Sequence, residues 1–473
     1  RSSELSDLVK KSRAELNSEN VSWAMLETRL RYRWIDDLCK KAVRQAGKEK
    51  QTFSEKMDRV LTHRVAGPVI FLLVFATIFQ SIFTWAEIPM NGIEMLIAWL
   101  SAQVSSILPE GVLQDLIING ALAGVGAILV FLPQILFLFF FLSLLEDSGY
   151  MARVAFMMDR VMRPTGLSGR SVIPLLSSFA CAIPGIMATR TIQNWRERLI
   201  TILIAPLMTC SARLPVYTLM IAAFIPAIAI WGIFPLQALA LLAMYLLGIL
   251  AAFVAGFFLQ KFIVKGKKRS TFVMELPPYR VPSLKWTFFR MAERAKLFVT
   301  EAGKIILSIS IVLWFLASYP KPDPAANMRP AEAIKQSYAG RIGQIMEPVI
   351  APLGFDWKMG IGLVTSFAAR EVLVSTLATI YNVEGADETS HSLRETLRNE
   401  RDPETGKPVY TSLVAISLMV FFAFACQCMS TVAIVRRETN SWRWPLVMIA
   451  YMTILAYLGS LVVYQGGKFF GLG

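Results

Sequence analysis

The sequence predicts an all-α polytopic membrane protein built from inverted-topology repeats, each with a re-entrant helical hairpin. Three observations carry that prediction. The 473-residue chain is 55% hydrophobic and only 17% charged, with apolar runs near bilayer-spanning length such as 67–85 and 236–259. Its formal net charge of +14 gathers at the ends of those runs, which points to the positive-inside rule and away from nucleic acid. Two further apolar segments, 173–192 and 361–380, align with each other while their flanking charges orient them oppositely.

Taken in order, residues 1–65 hold 15 Lys/Arg and 10 Asp/Glu with helical patterning in "LETRLRYRWIDDLCKKAV", and read as a cytoplasmic helical linker. The polar opening is no cleavable signal, and the missing initiator Met reads as a fragment or a processed chain. Residues 66–119 are expected to form a first span (67–87, outward) and an outer amphipathic helix (93–108). The first repeat, 120–264, begins with the inward span 120–145. Arg153, Arg160, Arg163 and Arg170 on one side and Arg190, Arg196 and Arg198 on the other then hold both ends of 171–189 inside, so that piece should be a re-entrant hairpin. Residues 199–225 lead out and 236–264 lead back, with Lys261, Lys265, Lys267, Lys268 and Arg269 fixing the inner end of a cytoplasmic basic loop, 265–297.

The second repeat, 298–435, leads out through 305–318. Its outer loop 381–410 has seven acidic and four basic residues, so 359–380 has both flanks outside and reads as the second hairpin, entering from the opposite face. Residues 412–435 return to Arg436 and Arg437, and 436–473 holds the last span, 444–463. The sum is about seven spans, or about eight if one hairpin crosses fully, plus two hairpins. Laid against each other without a gap, 173–192 and 361–380 share seven identities in twenty, including Ser178/Ser366, Phe179/Phe367 and Ala180/Ala368. In inverted-repeat transporters the substrate site lies near the midplane, where interrupted helices expose backbone groups.

Five cysteines, Cys39, Cys181, Cys210, Cys426 and Cys428, lack a disulfide-framework pattern and read as free thiols. Cys181 stands just before Pro184 and Gly185 in "SSFACAIPGIMATR". Proline cannot donate its N–H and clashes one turn back, so the hairpin should break there and free a carbonyl near Ala180. Cys210 follows in "APLMTCSARLP" beside Met208, and Cys426 and Cys428 form a C-x-C in "FAFACQCMSTVAIVRRE". A lone thiol usually packs as a small hydrophobe. Several converging on one axis favour a transition metal over Mg²⁺ or Ca²⁺, although thiols bind Cu(I) and Zn²⁺ as well. Charge inside apolar segments is costly, roughly 2.5–3.5 kcal/mol per residue, which singles out Glu146, Asp147, Arg213, Arg370 and Glu371. Glu146 and Asp147 also fit an interfacial helix end, and Arg370 and Glu371 also fit a mutual pair. There is no P-loop spacing, and only His63 and His391 are present, so phosphate cradles and histidine-based zinc or triad sites are excluded.

The run "LPQILFLFFFLSLLEDSGYMARVAFMMDRVMRPTGLSGRSVIPLLSSFACAIPGIMATRTI" and "RERLITILIAPLMTCSARLPVY" closely resemble the first Gate region of the bacterial ferrous iron transporter B family. "GLVTSFAAREVLVSTLATIY" resembles its second Gate region and "CMSTVAIVRRETNSWRW" its late cysteine motif. The resemblance runs from about residue 30 onward. It implies Fe²⁺ uptake across the bacterial cytoplasmic membrane, with the N-terminus cytoplasmic. It also implies a GTPase domain, in the same gene or a separate chain, of whose spacer residues 1–65 look like the end; GTP and Mg²⁺ enter only through that domain. A small soluble accessory protein is implied as partner, with membrane lipid around the chain and a homo-oligomer left open. The pore thiols carried over are Cys181, Cys210 and Cys428. Two departures stand out: Ala182 replaces the polar residue often found after the first cysteine, and Gln427 replaces the usual proline of the late motif.

The expectation is therefore a Fe²⁺ permease, not an enzyme within this chain. Cys181, Cys210 and Cys428 transiently ligate the metal, Cys426, Met208 and Ser178 stand nearby, and Glu146, Asp147 and Glu371 supply negative potential. The rivals are a nucleoside-type or other solute symporter on the same hairpins, a membrane thiol-redox protein using the C-x-C, and a non-transporting assembly or sensor subunit.

Overall fold

The computed structural model describes residues 23–42, 53–109, 111–162, 165–230, 234–263, 277–320, 336–367, 370–381, 391–401 and 406–471, with a few positions before residue 15. The chain divides into two units, residues 1–57 and 58–473. In the first, α1 (Trp23–Ala42) is an exposed helix carrying an i,i+4 pair, Asp36 with Lys40 at 3.2 Å. Of the linker expected at 1–65, the stretch 43–52 lies outside the described residues. Helix α2 (Phe53–Leu61) leads into the second unit.

Among its described residues that unit's regular structure is helical apart from a short ribbon, Ala229–Ile230 with Phe234–Pro235, and a bridge between Arg401 and Pro408. The sequence separates 67–87 from a surface segment at 93–108, whereas the structure runs both as one 42-residue helix, α3 (Ala66–Ile107), with Pro89 inside it. At 1.5 Å per residue this helix is about 63 Å long, more than a bilayer core. It packs along α4 (Ala123–Asp147), which follows a π-helical turn at Leu116–Leu122. Gly149, at φ +84°, turns the chain sharply from α4 into α5 (Tyr150–Met162).

The centre is made of interrupted helices. Helix α6 (Val172–Ala180) stops at an extended Cys181, and α7 (Ala182–Ala188) folds back against it. The approach is close: a Cβ on Gly185 would lie 2.0 Å from the Ser178 hydroxyl. Next come α8 (Trp195–Ile204), a 3₁₀ turn Ala205–Leu207, an extended stretch, a second turn Ser211–Arg213, and α9 (Leu214–Phe224). Helices α10 (Leu236–Ile263), α11 (Leu284–Leu297), α12 (Gly303–Ser318) and α13 (Tyr338–Ile350) complete the middle of the chain. The order then recurs. Helices α14 (Trp357–Thr365) and α15 (Val372–Ile380) pack against each other, and after α16 (His391–Asn399) come α17 (Ser412–Phe424), an extended break at 425–428, and α18 (Met429–Thr439). Helix α19 (Arg443–Phe469) ends the described chain.

Five helices are long and apolar enough to cross a membrane among the described residues. Their burial sorts them: Trp195–Phe224 and Ser412–Thr439, both interrupted by non-helical breaks, are each 78% buried, while Val112–Asp147, Leu236–Phe262 and Arg443–Phe469 are 29%, 17% and 22% buried. The broken helices are thus the core, and the smooth ones face outward. Several expectations are refined by this layout. Residues 199–225 and 412–435, read as plain spans, are both interrupted. Residues 284–297, read as loop, form α11, whose pattern "LKWTFFRMAERAKL" packs against α4; the rest of that loop, 264–276, lies outside the described residues. Residues 381–410, also read as loop, contain α16, which buries Leu393 and Leu397 against α9.

Candidate functional site

Each interruption has a physical cause. Pro184 cannot donate to Ala180 and its ring clashes with that carbonyl, so the helix ends at Cys181 (φ −155°, ψ 134°). The freed Ala180 carbonyl, expected to face the cavity for a ligand, instead accepts from the Ser211 hydroxyl at 2.9 Å. At the α8–α9 break the carbonyls of Pro206, Leu207 and Met208 all accept from Arg213, at 2.9, 3.1 and 3.0 Å. Arg213 is fully buried, and its charge serves the backbone. The second half has no proline at either break. There Arg370 donates to the Ala425 carbonyl at 3.2 Å and to Cys210 Sγ at 3.7 Å, and the Met429 N–H donates to the Phe367 carbonyl at 3.1 Å.

These four breaks meet. One cavity of about 100 Å³ is bordered by Cys181, Cys210, Cys428, Arg370 and Glu371, together with Gln134 of α4 and Phe298. Arg370 and Glu371 do not pair with each other: Arg370 turns to Cys210 and Ala425, and Glu371 Oε2 is buried with no partner, as is Ser430 Oγ on the cavity wall. Buried polar atoms without a protein partner are uncommon, and here two of them face the same cavity as the thiols. Among the described residues, no three of His, Cys, Asp and Glu are gathered tightly enough to cage a metal ion.

The cavity shares Ile135, Ile183, Phe298 and Ser430 with a second, of about 720 Å³, that reaches Arg436, Arg437 and Trp442. A third, of about 390 Å³, shares Phe139 and Pro184 with the second and is lined by Glu146, Arg190 and Arg290. Ion pairs gather at this end. Glu438, nearly buried, binds both Arg190 (2.5 Å) and Arg198 (2.7 Å), tying the end of the first hairpin to α18, and Asp147 binds Arg290 at 2.8 Å. Nearby, Arg153 holds both oxygens of Asp58 (2.9 and 3.1 Å), donates to the carbonyls of Gly149 and Pro277, and stacks on Tyr279, whose hydroxyl also donates to Asp58. The bonds from Arg153 hold the Asp58 carboxyl below its ordinary range. Burial, with the bond to Asp58, pushes the Tyr279 phenol up to about 12.

The remaining expected residues lie off the thiol cavity. Cys426 is buried behind it, and Met208 is buried with its carbonyl engaged by Arg213. Ser178 bonds the Pro174 carbonyl at 2.8 Å, and its aligned counterpart Ser366 bonds Gly362 at 2.5 Å. Glu146 and Asp147 sit at the ion-paired end, Pro184 lines the two larger cavities, and Gly185 packs on Ser178. Cys39 lies exposed on α1. Residues that the sequence reading passed over are Ser211, Ser430 and Gln134. Gln134 had a signal, a lone amide within an apolar run beside Pro133, and it is 6% exposed on the cavity wall.

A family model described as "Gate: Nucleoside recognition" matches residues 128–224 and 299–442, and one described as "Ferrous iron transport protein B C terminus" matches 241–294. The "Fe(2+) transporter FeoB" of Leptospira interrogans is 51% identical over 421 residues, covering 88% of this chain and 60% of that protein. The protein of the same name from Staphylococcus aureus (strain COL) is 42% identical over 451 residues, covering 93% and 63%. A "Fe(2+) transport protein A/Fe(2+) transporter FeoB fusion protein" of Porphyromonas gingivalis is 40% identical over 470 residues, covering 93% and 54%. The chain thus spans about three fifths of the length of the curated relatives it matches. On the Gate model's match across both halves and these identities, the chain belongs to the ferrous iron transporter B (FeoB) family and corresponds to its membrane Gate region.

Proposed function

We propose that this chain conducts Fe²⁺ into the bacterial cytoplasm across the inner membrane, along a path through the interrupted helices. The observation that carries the reading is that Cys181, Cys210, Cys428 and Glu371, from four separate breaks, border one cavity that adjoins larger cavities reaching Arg436 and Arg437. Thiolates and a carboxylate suit a borderline-soft divalent cation. The thiols sit on separate elements, and conduction favours such weak, successive sites over a tight cage.

Inverted repeats are supported by recurrence: each half has a hairpin followed by a broken helix. The second arm of each hairpin packs on the broken helix of the other half, α7 against α18 and α15 against α9. The aligned Ser178 and Ser366 make the same bond to the carbonyl four residues back. In this reading the hairpins are re-entrant from opposite faces, the ion-paired end is cytoplasmic, and a GTPase domain acts through α2 and the Asp58–Arg153 contact. The fused transport protein A in the Porphyromonas relative's name supports a small soluble partner.

The family model's description raises nucleoside transport as a second reading. A cavity of about 100 Å³ walled by thiols is small beside the roughly 300–1,000 Å³ of organic-ligand pockets. The test is Co²⁺ titration of purified full-length protein under anaerobic conditions. A thiolate-to-cobalt charge-transfer band that weakens in Cys181→Ser and Cys210→Ser supports the path. A band unchanged in both, or no band together with saturable uridine binding, overturns it.

A further inference from the structure

The two buried arginines of the centre are used differently. Arg213 spends its donors on three carbonyls of its own break, all within seven residues. Arg370, 4% exposed, reaches across 55 residues to the Ala425 carbonyl and across 160 to Cys210 Sγ, a weak acceptor; the Nε of both arginines is without a partner. It therefore places a cation against a thiol on the cavity wall, beside a carboxylate oxygen that it does not bind.

We infer that Arg370 is a tethered counter-cation that holds the Cys210 position while the cavity is empty and has to be displaced before a divalent metal can be ligated there. The inference rests on the Fe²⁺ path proposed above. A dication and a guanidinium repel each other strongly in a cavity of about 100 Å³, because Arg370 is buried and charges in a low-dielectric interior are weakly screened. Entry of the metal moves the guanidinium off the sulfur, and its return helps expel the metal, which keeps the site weak enough to release its cargo. The same competition sets a threshold on the entering charge and disfavours monovalent ions. Because Arg370 also holds the Ala425 carbonyl, displacement loosens the α17–α18 break at the moment of loading. Arg370 is thus a positioning residue that sets affinity; it is not a ligand.

The test is anaerobic uptake of radioactive Fe²⁺ over a concentration series in cells making the full-length protein, as wild type, Arg370→Gln, Arg370→Lys and Cys210→Ser, at matched membrane abundance. Arg370→Gln removes the charge and leaves an amide that ends two bonds short of the nitrogen bonding Ala425, whereas Arg370→Lys keeps the charge. Arg370→Gln is expected to lower KM about tenfold and to lower the maximal rate, while Arg370→Lys keeps KM within about twofold of wild type. An Arg370→Gln variant with KM unchanged or raised overturns the inference, as does an Arg370→Lys variant that behaves like Gln. Absence of both variants from the membrane assigns the side chain a purely structural role and also overturns it. Full uptake by Cys210→Ser removes the underlying thiol at this position. Loss in Cys210→Ser with an unmoved KM in Arg370→Gln removes only the counter-cation.

Discussion

In the first half of the Gate region the breaks are set by nearby sequence. Pro184 stops α6, Pro206 lies in the turn that ends α8, and Arg213 satisfies the carbonyls of its own turn. In the second half neither break contains a proline, and the contacts that hold them are distant: Arg370 to Ala425 and Cys210, and Met429 to Phe367. An interruption between two helical pieces is thus reached once by covalent constraint and once by tertiary contact. A break built into the chain persists in every state of the protein. One held by a few long-range bonds can change when those bonds change, which, on the Fe²⁺ path proposed above, makes the second half the part suited to respond to cargo.

The sharpest way to break this comparison is at Arg213. Arg213→Leu leaves three buried carbonyls without a donor, and a loss of roughly 3–5 kcal/mol is expected, read as a collapse of apparent Tm in detergent or absence from the membrane. Thermal stability close to wild type would show that the first half does not depend on this local brace. Next in size is a paired test of the hairpins. A Cβ at Gly185 meets the Ser178 hydroxyl at 2.0 Å and the Pro174 carbonyl at 2.7 Å, whereas one at Gly362 meets only the movable end of Leu373, nearest at 2.4 Å. Gly185→Ala should cost roughly 1–3 kcal/mol and Gly362→Ala less, compared by melting in the same detergent. The reverse order would contradict the picture of a tighter first hairpin.

A smaller effect is expected at the Asp58–Arg153 contact. The Asp58 carboxyl lies below its ordinary value of 3.8, so the stability it adds is fully present above that value and disappears as pH falls through its lower value in the folded protein. Wild type and Asp58→Asn should differ by about 1 kcal/mol at neutral pH and converge in strong acid. Melting curves from neutral pH downward check this, and a gap that widens toward acid would contradict it.

The same contrast explains what the sequence reveals. The break at Cys181 is legible because proline and glycine follow it at once. The expectation of a second hairpin comes from the charges that flank 359–380 and from its alignment with 173–192, since "SFAARE" contains no helix breaker. The interruption at 425–428 is not legible at all: Gln427 stands where a proline would have announced it, and the residue that holds it, Arg370, lies 55 positions away. Local physics is written locally, whereas a bond across the fold is invisible until the elements are placed. For the same reason the thiols are recognisable as candidates, yet the separation of Cys428 from Cys426, one on the cavity wall and one behind it, needs the structure. Glu146 and Asp147 look like pore carboxylates in one dimension and sit at the ion-paired end in three.

The central claim is that cargo passes the thiols at the breaks. Its most direct test is anaerobic radioactive Fe²⁺ uptake by cells expressing full-length protein, comparing wild type, Cys181→Ser and Cys426→Ala at matched membrane abundance. The account predicts that Cys181→Ser loses most uptake while remaining folded and that Cys426→Ala keeps it. Wild-type uptake in Cys181→Ser would make that thiol a packing residue and contradict the claim.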